Sequence, residues 1–292
     1  MKNTYLAIIL LLSVSVHAQY YYDDILGTRD INNKMRSYLA ARVQSATATG
    51  YDAEGRKAPD FNEWHDVQSN GMVLRISTRN GQSIARTYYQ FDDKKRVINA
   101  RDSSGDFQMV SVYSYDANDN ITNIKTTTRD AQHDFDQVKE RQYQYKDGKP
   151  DTMLMIQNGT DSFLYVFTLD ENKNVKDEML YHRGGSQNKI FYTYEEHKIY
   201  YFYDAKNRLT DVTRYNPKID RLVPDLMFEY DDNNRVIQKI TVLSNVRYDT
   251  KQTDYLTWRY GFDDKDLKTA EVMYNRNKEL KGRIKYSYTF AQ

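Results

Sequence analysis

One short pattern recurs along most of this chain, and it constrains the fold more than any other feature of the sequence. The pattern is an aromatic residue, any residue, a second aromatic residue or Leu, Asp, three variable residues, Arg or Asn, and an aliphatic residue. Copies begin at Tyr89, Tyr113, Phe167, Tyr201 and Phe228, another begins at Tyr260 and ends on Leu267 one residue early, and a degenerate copy begins at Tyr143. Such repetition predicts one structural unit that is used several times in succession.

Each copy is typical of a β-hairpin. The two aromatic residues are two positions apart, so they lie on one face of a strand. The Asp that follows starts a turn, because its carboxylate can accept hydrogen bonds from the next backbone amides. The aliphatic residue then begins the returning strand. The predicted turn residues are Asp92, Asp116, Asp170, Asp204, Asp231 and Asp263.

Seven copies with two strands each imply at least fourteen strands. A twisted open sheet rarely exceeds about ten strands without curling or splitting. The sequence therefore predicts an all-β fold: a long antiparallel meander of hairpins that is curved or coiled and is stabilised between neighbouring hairpins. One short helix is expected near the amino terminus, where Ile31, Met35 and Tyr38 follow helical spacing behind a capping Thr28 or Asp30.

The repeated units resemble the Tyr-Asp repeats of Rhs-type shells and of many exported proteins of Bacteroidota. The resemblance covers about residues 83–290, and Tyr201–Leu209 carries it almost intact as Tyr-Phe-Tyr-Asp-Ala-Lys-Asn-Arg-Leu. It implies a β-rich scaffold and is uninformative about activity. The irregular spacing of the copies argues against a closed cocoon of the Rhs type.

The first residues are predicted to be a secretory signal peptide. Lys2 precedes an apolar run, Leu6–Leu12, and Val16 and Ala18 occupy the −3 and −1 positions of a cleavage site before Gln19. The run is too short to span a membrane as a helix. We therefore expect three regions, namely residues 1–18 as the signal peptide, residues 19–82 as a segment with a short helix and the first strands, and residues 83–292 as the repeat domain.

The expected location is the periplasm, the periplasmic side of the outer membrane or the cell surface. The chain has no Cys to carry a lipid anchor, and no later stretch approaches the roughly 18 apolar residues of a spanning helix. A lipid-facing row of a β-barrel would not tolerate charge, yet charged residues occupy both strand parities. Examples are Lys125, Arg129, Lys139, Glu140 and Arg141. These residues argue against a β-barrel that spans a membrane, and we expect a soluble protein that is exported across one membrane.

Composition and motifs argue against several kinds of chemistry. Lys and Arg total 42 and Asp and Glu total 41, so the near balance does not favour a nucleic-acid partner. The absence of Cys excludes disulfides, thiolate metal sites and Cys nucleophiles. No His pair with metal-ligand spacing, nucleophile elbow or phosphate loop occurs either. The sequence therefore predicts a non-enzymatic protein without a metal or cofactor.

Two other functions stay open. A glycosidase needs only two carboxyl groups across a cleft, although the Asp doublets of this chain fall at predicted turns that solvent reaches. A carbohydrate- or cell-wall-binding module could stack sugar rings on Trp64, Trp258 and neighbouring Tyr, of which the chain has 27. Cross-strand packing of structural aromatic residues accounts for the same side chains.

The start of the mature chain resembles a second family, the small plug subunit of the Bacteroidota type 9 secretion translocon. The residues that carry this resemblance are Gln19–Thr28, followed by a short helix and Tyr-rich strands. It implies a periplasmic accessory subunit that closes or binds an outer-membrane β-barrel protein. The predicted docking residues are Tyr20, Tyr21, Tyr22, Asp23 and Asp24. The alternative for the same residues is a first strand that leads into the helix.

Overall fold

The structure is a computed structural model that describes residues 19–104, 107–130, 132–186, 189–216, 220–243 and 254–292, with the backbone alone from 183 to 197. The predicted signal peptide lies outside the described residues. A π-helical turn, Tyr21–Leu26, runs directly into helix α1, Gly27–Ala40, and a 3-10 turn covers Ser69–Gly71. Among the described helices, none is both long and apolar enough to span a bilayer.

All other regular structure is strand. The strands are β1 Val43–Tyr51, β2 Lys57–Gln68, β3 Val73–Asn80, β4 Ser83–Phe91, β5 Val97–Ser104, β6 Phe107–Tyr115, β7 Ile121–Asp130, β8 Phe135–Lys146, β9 Lys149–Gln157, β10 Asp161–Leu169, β11 Val175–Ser186, β12 Lys189–Tyr203, β13 Leu209–Asn216, β14 Arg221–Tyr230, β15 Val236–Leu243, β16 Asp254–Phe262, β17 Lys268–Asn275 and β18 Leu280–Phe290. The predictions of an all-β fold and of one short amino-terminal helix are confirmed.

The strands form one closed barrel. Every strand pairs with its neighbours in chain order to give an 18-stranded sheet, and β1 pairs antiparallel with β18 from Val43 opposite Phe290 to Tyr51 opposite Arg283. The predicted coiled repeat meander is therefore wrong, although the strand order is that of a meander. Closure leaves neither terminal strand with an unpaired row of backbone groups, which an open sheet would expose.

The curvature has a local source in the repeat. The pairing register shifts at the second aromatic position of the copies, for example between Gln90 and Phe91 and between Phe202 and Tyr203. Such a shift marks a β-bulge, which bends a strand and increases its twist. A bulge repeated at almost every motif turns the sheet in the same direction until its two ends meet.

The Asp residues of the repeat organise the turns. Asp204 Oδ1 accepts hydrogen bonds from the backbone N–H of Lys206 at 2.9 Å and of Arg208 at 3.0 Å. Arg208 Nε donates to Asp204 Oδ2 at 2.7 Å. Asn207 has a φ of 59°, a left-handed conformation that Asn tolerates better than most residues. Backbone N–H bonds to the carboxylate recur at Asp92, Asp116, Asp170, Asp231 and Asp263.

The Arg of each complete copy also couples one hairpin to the next. The Arg208 guanidinium lies 4.8 Å from the centre of the Tyr230 ring and donates to the backbone oxygen of Asp231 at 2.8 Å. In return, the Tyr230 hydroxyl donates to the backbone oxygen of Leu209 at 2.7 Å. The same exchange joins Arg96 and Tyr115, since Arg96 lies 4.5 Å from that ring and the Tyr115 hydroxyl donates to the backbone oxygen of Val97.

The amino-terminal helical segment lies inside the barrel. Tyr20 contacts Tyr165 of β10, Asp24 bonds Arg141 of β8, and Asn32 bonds the backbone of β5. Further along the segment, Tyr22 packs on Phe228 of β14 and Tyr38 bonds His65 of β2. One segment reaches strands in all these sectors of a closed ring only if it occupies the lumen.

We predict that Arg208→Gln lowers the free energy of unfolding by about 1–3 kcal/mol, because it removes a charge-assisted hydrogen bond and a cation–π contact. Urea denaturation of the variant and the wild type measures the change. Lys206→Gln is the control at the same turn, since Lys206 is exposed and lies 3.7 Å from an exposed Asp232. Equal losses in both variants would contradict the coupling between hairpins.

Candidate functional site

Four of the five predicted docking residues, Tyr20, Tyr21, Tyr22 and Asp24, pack in the lumen, and the fifth, Asp23, is exposed. Tyr20 and Asp24 are 7% exposed, and Tyr21 and Tyr22 pack against the buried wall residues Tyr201 and Phe228. The alternative of a first strand is wrong, because the segment is helical from its beginning. The docking role stays a prediction, and it would require these side chains to leave the barrel interior.

Glu178 on β11 holds the start of the helical segment. Its Oε1 accepts the backbone N–H of Tyr20 at 3.2 Å, and its Oε2 accepts that of Tyr21 at 3.0 Å. The Tyr201 hydroxyl donates to the same Oε2 at 2.9 Å. The first N–H groups of a helix have no partner within the helix, and no side chain of the segment itself caps them. The barrel wall therefore provides the cap.

The charge of Glu178 is costly where it lies. Burial raises the pKa of the Glu178 carboxyl to about 7, although the three hydrogen bonds that it accepts oppose this. Desolvation by the surrounding wall and the adjacent carboxylate of Asp24 raise the pKa of Asp23 to about 6, although part of this side chain stays exposed. Both carboxyls thus take up protons more readily in the folded protein than in the unfolded chain.

A second cluster secures Asp24. Arg141 Nη1 donates to Asp24 Oδ1 at 2.8 Å, and the Tyr143 hydroxyl donates to Asp24 Oδ2 at 2.6 Å. Arg141 Nη2 also donates to Thr126 Oγ1 at 2.7 Å. Burial raises the pKa of Asp24, while Arg141 and Tyr143 act against that shift. An ion pair with these additional hydrogen bonds compensates for much of the cost of burying two charges.

Helix α1 is held by a third polar cluster. The Tyr38 hydroxyl lies 2.6 Å from His65 Nδ1, and His65 Nε2 lies 2.7 Å from Glu63 Oε1. Burial lowers the pKa of His65, so a neutral ring accepts from Tyr38 and donates to Glu63. Burial disfavours the Glu63 carboxylate, but its hydrogen bond with His65 and nearby positive charge bring its pKa down to about 2.

The sequence did not reveal Glu178, Arg141 or Glu63 as partners of the amino-terminal segment. Glu178 lies 158 residues from Tyr20, and Arg141 lies 117 residues from Asp24. The feature that could have identified these partners is a charged residue at an inward position of a strand. Inward positions can be recognised only once the register of the strands is known. Among the described residues, no three His, Asp or Glu side chains are grouped to hold a metal ion.

The two Trp residues lie on opposite faces of the wall. Trp258 packs against the inner cluster of Ala48, Phe61 and Ile284. Trp64 lies between the inward-facing Glu63 and His65, so strand alternation directs it outward. The structure does not bring them together, and they cannot form one stacking platform.

One sector of the outer wall is apolar. The register places Leu154 of β9 opposite Leu164 of β10, Leu164 opposite Tyr181 of β11, and Val166 opposite Met179. We call these residues, together with Ile156, the apolar band. Their inward neighbours Met153, Met155 and Tyr165 are buried in the lumen, so alternation directs the band outward, where each member is partly exposed.

The sequence matches no protein-family model and no curated protein. Among solved structures, it is similar to a TcdB2–TccC3–Cdc42 complex over 85% of this chain, with 11% identity and a TM-score of 0.29, and it spans 15% of that chain. It is also similar to porin-like proteins from Bacteroides uniformis and Bacteroides vulgatus. The alignments cover 85% of this chain and 98% of theirs, with 11% and 13% identity and TM-scores of 0.36 and 0.29. The fold of this chain follows from its own strand pairings.

The buried carboxyls make stability depend on pH. Between about pH 4.5 and 7 the folded protein keeps the Glu178 proton that the unfolded chain has released, so the contribution of Glu178 to the free energy of unfolding falls as the pH rises through this range. The lowered pKa of His65 acts in the opposite sense, because the unfolded chain binds a proton that the folded protein excludes. We expect Glu178→Gln to remove the falling contribution, so that the free energy of unfolding of the variant, measured by thermal unfolding across the range, changes with a more positive slope than that of the wild type.

Glu140→Gln, on the outer face of β8, is the matched control and keeps the wild-type pH dependence. An unchanged slope in Glu178→Gln would show that burial does not protonate Glu178.

Proposed function

We propose that this protein is a non-enzymatic, exported interaction protein, and more specifically a plug-like accessory subunit that closes or binds an outer-membrane protein-secretion translocon. The apolar band on β9–β11 carries this proposal. Exposed contiguous apolar patches on hydrophilic proteins mark sites of interaction with other proteins or membranes. Here five apolar side chains and Tyr181 are neighbours on three adjacent strands of a closed wall.

The surroundings of the band suit a protein interface. Glu140 and Gln142 of β8 pair with Ile156 and Leu154 and so border one side of it. On the other side, Asp177 of β11 forms an ion pair with Lys198 of β12 at 3.1 Å. An apolar centre with a polar rim is the usual composition of a specific protein–protein contact. We assign the partner as an outer-membrane β-barrel protein, as the resemblance of Gln19–Thr28 to the plug subunit implies.

The helical segment inside the lumen supports a role without chemistry. The helical segment occupies the interior, and its polar groups are bonded to the wall through Glu178, Arg141 and His65. A barrel with part of its own chain bonded inside it is a compact body, which suits steric obstruction of a larger opening. The same bonds make the interior rigid, so the outer wall is the surface available for recognition.

The carboxyl groups at the turns are unsuited to acid catalysis. Hydrogen bonds from Arg208 lower the pKa of Asp204, and a hydrogen bond from Asn120 lowers the pKa of Asp116. A general acid in a glycosidase needs the opposite shift. The proposal therefore assigns these Asp residues a structural role.

The test is a native pull-down of the tagged protein from mildly solubilised envelopes of the source bacterium. We expect one very large outer-membrane β-barrel protein at near-stoichiometric yield, identified by mass spectrometry. A double substitution in the apolar band, Leu164→Lys with Val166→Lys, should reduce that yield at least tenfold, because burying an ammonium group at an apolar contact is strongly unfavourable.

Thr127→Lys, on the outer face of β7 away from the band, is the control and should leave the yield unchanged. Recovery of the protein alone, or equal yields from the wild type and the band variant, would overturn the proposal. Thermal unfolding of each variant verifies that the barrel is folded.

A further inference from the structure

Another sector of the outer wall concentrates arginine. On β2–β5 the register sets Trp64 opposite Ser77, Ser77 opposite Arg86, and Tyr88 between Arg75 and Arg101. The inward faces of these strands carry the buried residues Phe61, His65 and Leu74, so this set lies outside. We call the outward set the arginine face, and its members are Trp64, Arg75, Arg79, Arg86, Tyr88 and Arg101.

The arginine face is strongly positive in a chain with almost no net charge. Among the outward residues of β2–β5, Asp60 and Asp66 are the acids, and Asp66 bonds Arg75 at 2.9 Å. Arg79, Arg86 and Arg101 are exposed. Many balancing carboxylates lie elsewhere, at the turns and in the lumen. Positive and negative side chains therefore lie on different parts of the molecule. The arginine face has a local positive field although the net charge of the chain is only +1.

The geometry of the side chains favours recognition of anions. Arg79 lies 5.5 Å from the centre of the Trp64 ring, and Arg101 lies 4.9 Å from that of Tyr88. Stacking on a ring limits the rotamers of a guanidinium group, whose planar fork matches carboxylate, phosphate and sulfate groups. Arg75 and Arg101 lie on either side of Tyr88, so they are two strand spacings, about 10 Å, apart. This separation suits anions repeated along a chain better than one small ion.

We propose that the arginine face binds an anionic polysaccharide, a sugar chain that carries carboxylate, phosphate or sulfate groups. The surface is an open, gently curved sheet rather than a pocket, so it fits an extended polymer. Trp64 and Tyr88 add apolar surface for the C–H faces of sugar rings. The signal peptide predicted from residues 1–18 favours a glycan of the envelope over nucleic acid.

This inference is independent of the proposed translocon contact. The apolar band lies on β9–β11 and the arginine face on β2–β5, so the two surfaces occupy different sectors of the barrel. Loss of one interaction therefore leaves the other intact, and their tests can fail separately.

The experiment measures binding of the full chain to immobilised polygalacturonate by biolayer interferometry at increasing NaCl concentrations. Neutral dextran and a single-stranded DNA oligonucleotide serve as comparison ligands. We expect binding to polygalacturonate that weakens steadily with salt, as release of counterions requires, with no binding to dextran. Arg86→Glu with Arg101→Glu should weaken binding at least tenfold, and Arg86→Gln with Arg101→Gln should weaken it by a smaller factor.

Arg259→Glu is the matched control. Arg259 also points outward and lies 5.7 Å from the centre of a Tyr ring, that of Tyr274, but it is on β16. This variant should bind as the wild type does. The proposal is overturned if polygalacturonate does not bind at low salt, if the Glu and Gln double variants bind as tightly as the wild type, or if DNA binds more tightly than polygalacturonate.

Discussion

The side-chain contact between one hairpin and the next is the interaction on which the rest of this barrel depends, and in three copies, those of Arg96, Arg208 and Arg235, an Arg makes it. In its own turn this Arg pairs with the Asp that starts the turn, as Arg208 does with Asp204. Across to the next hairpin it stacks on the second aromatic ring, whose hydroxyl bonds back to the preceding strand, as Tyr230 does. Each of these three hairpins is therefore bonded to its successor by side chains as well as by the ladder of backbone hydrogen bonds. A wall built in this way keeps its curvature from one repeat to the next.

The hairpin unit could be predicted because all its determinants are local. The Asp turn, the paired aromatic residues and the returning aliphatic residue lie within one short motif, so no knowledge of distant contacts is needed. Closure could not be predicted in the same way. Strand β1, Val43–Tyr51, contains no copy of the motif, and its partner residues 283–290 lie at the other end of the chain.

The position of the amino-terminal segment could likewise not be predicted from the sequence. A Tyr-rich, acidic run such as Tyr20–Asp24 is equally compatible with an exposed docking peptide and with a polar interior. Its place is decided by Glu178 and Arg141, inward residues of distant strands that neutralise its helix terminus and its carboxylate. Whether Trp64 and Trp258 point into the barrel or outward depends on the position of each in the alternation of its strand. A β-bulge shifts this alternation by one residue, and the sequence does not show where each bulge lies.

The enclosure of the helix has a consequence for how the chain acquires its structure. The helical segment is synthesised before any strand, yet the wall around it is complete only when β18 reaches β1, which brings together Ser45 and Thr289, 244 residues apart. Contacts of such sequence separation form slowly, because a long loop must close first. Until then β1 and β18 are both free edges on which another chain could add a strand. Early docking of the helix on the growing wall would shorten that exposure by holding β1 near its final position.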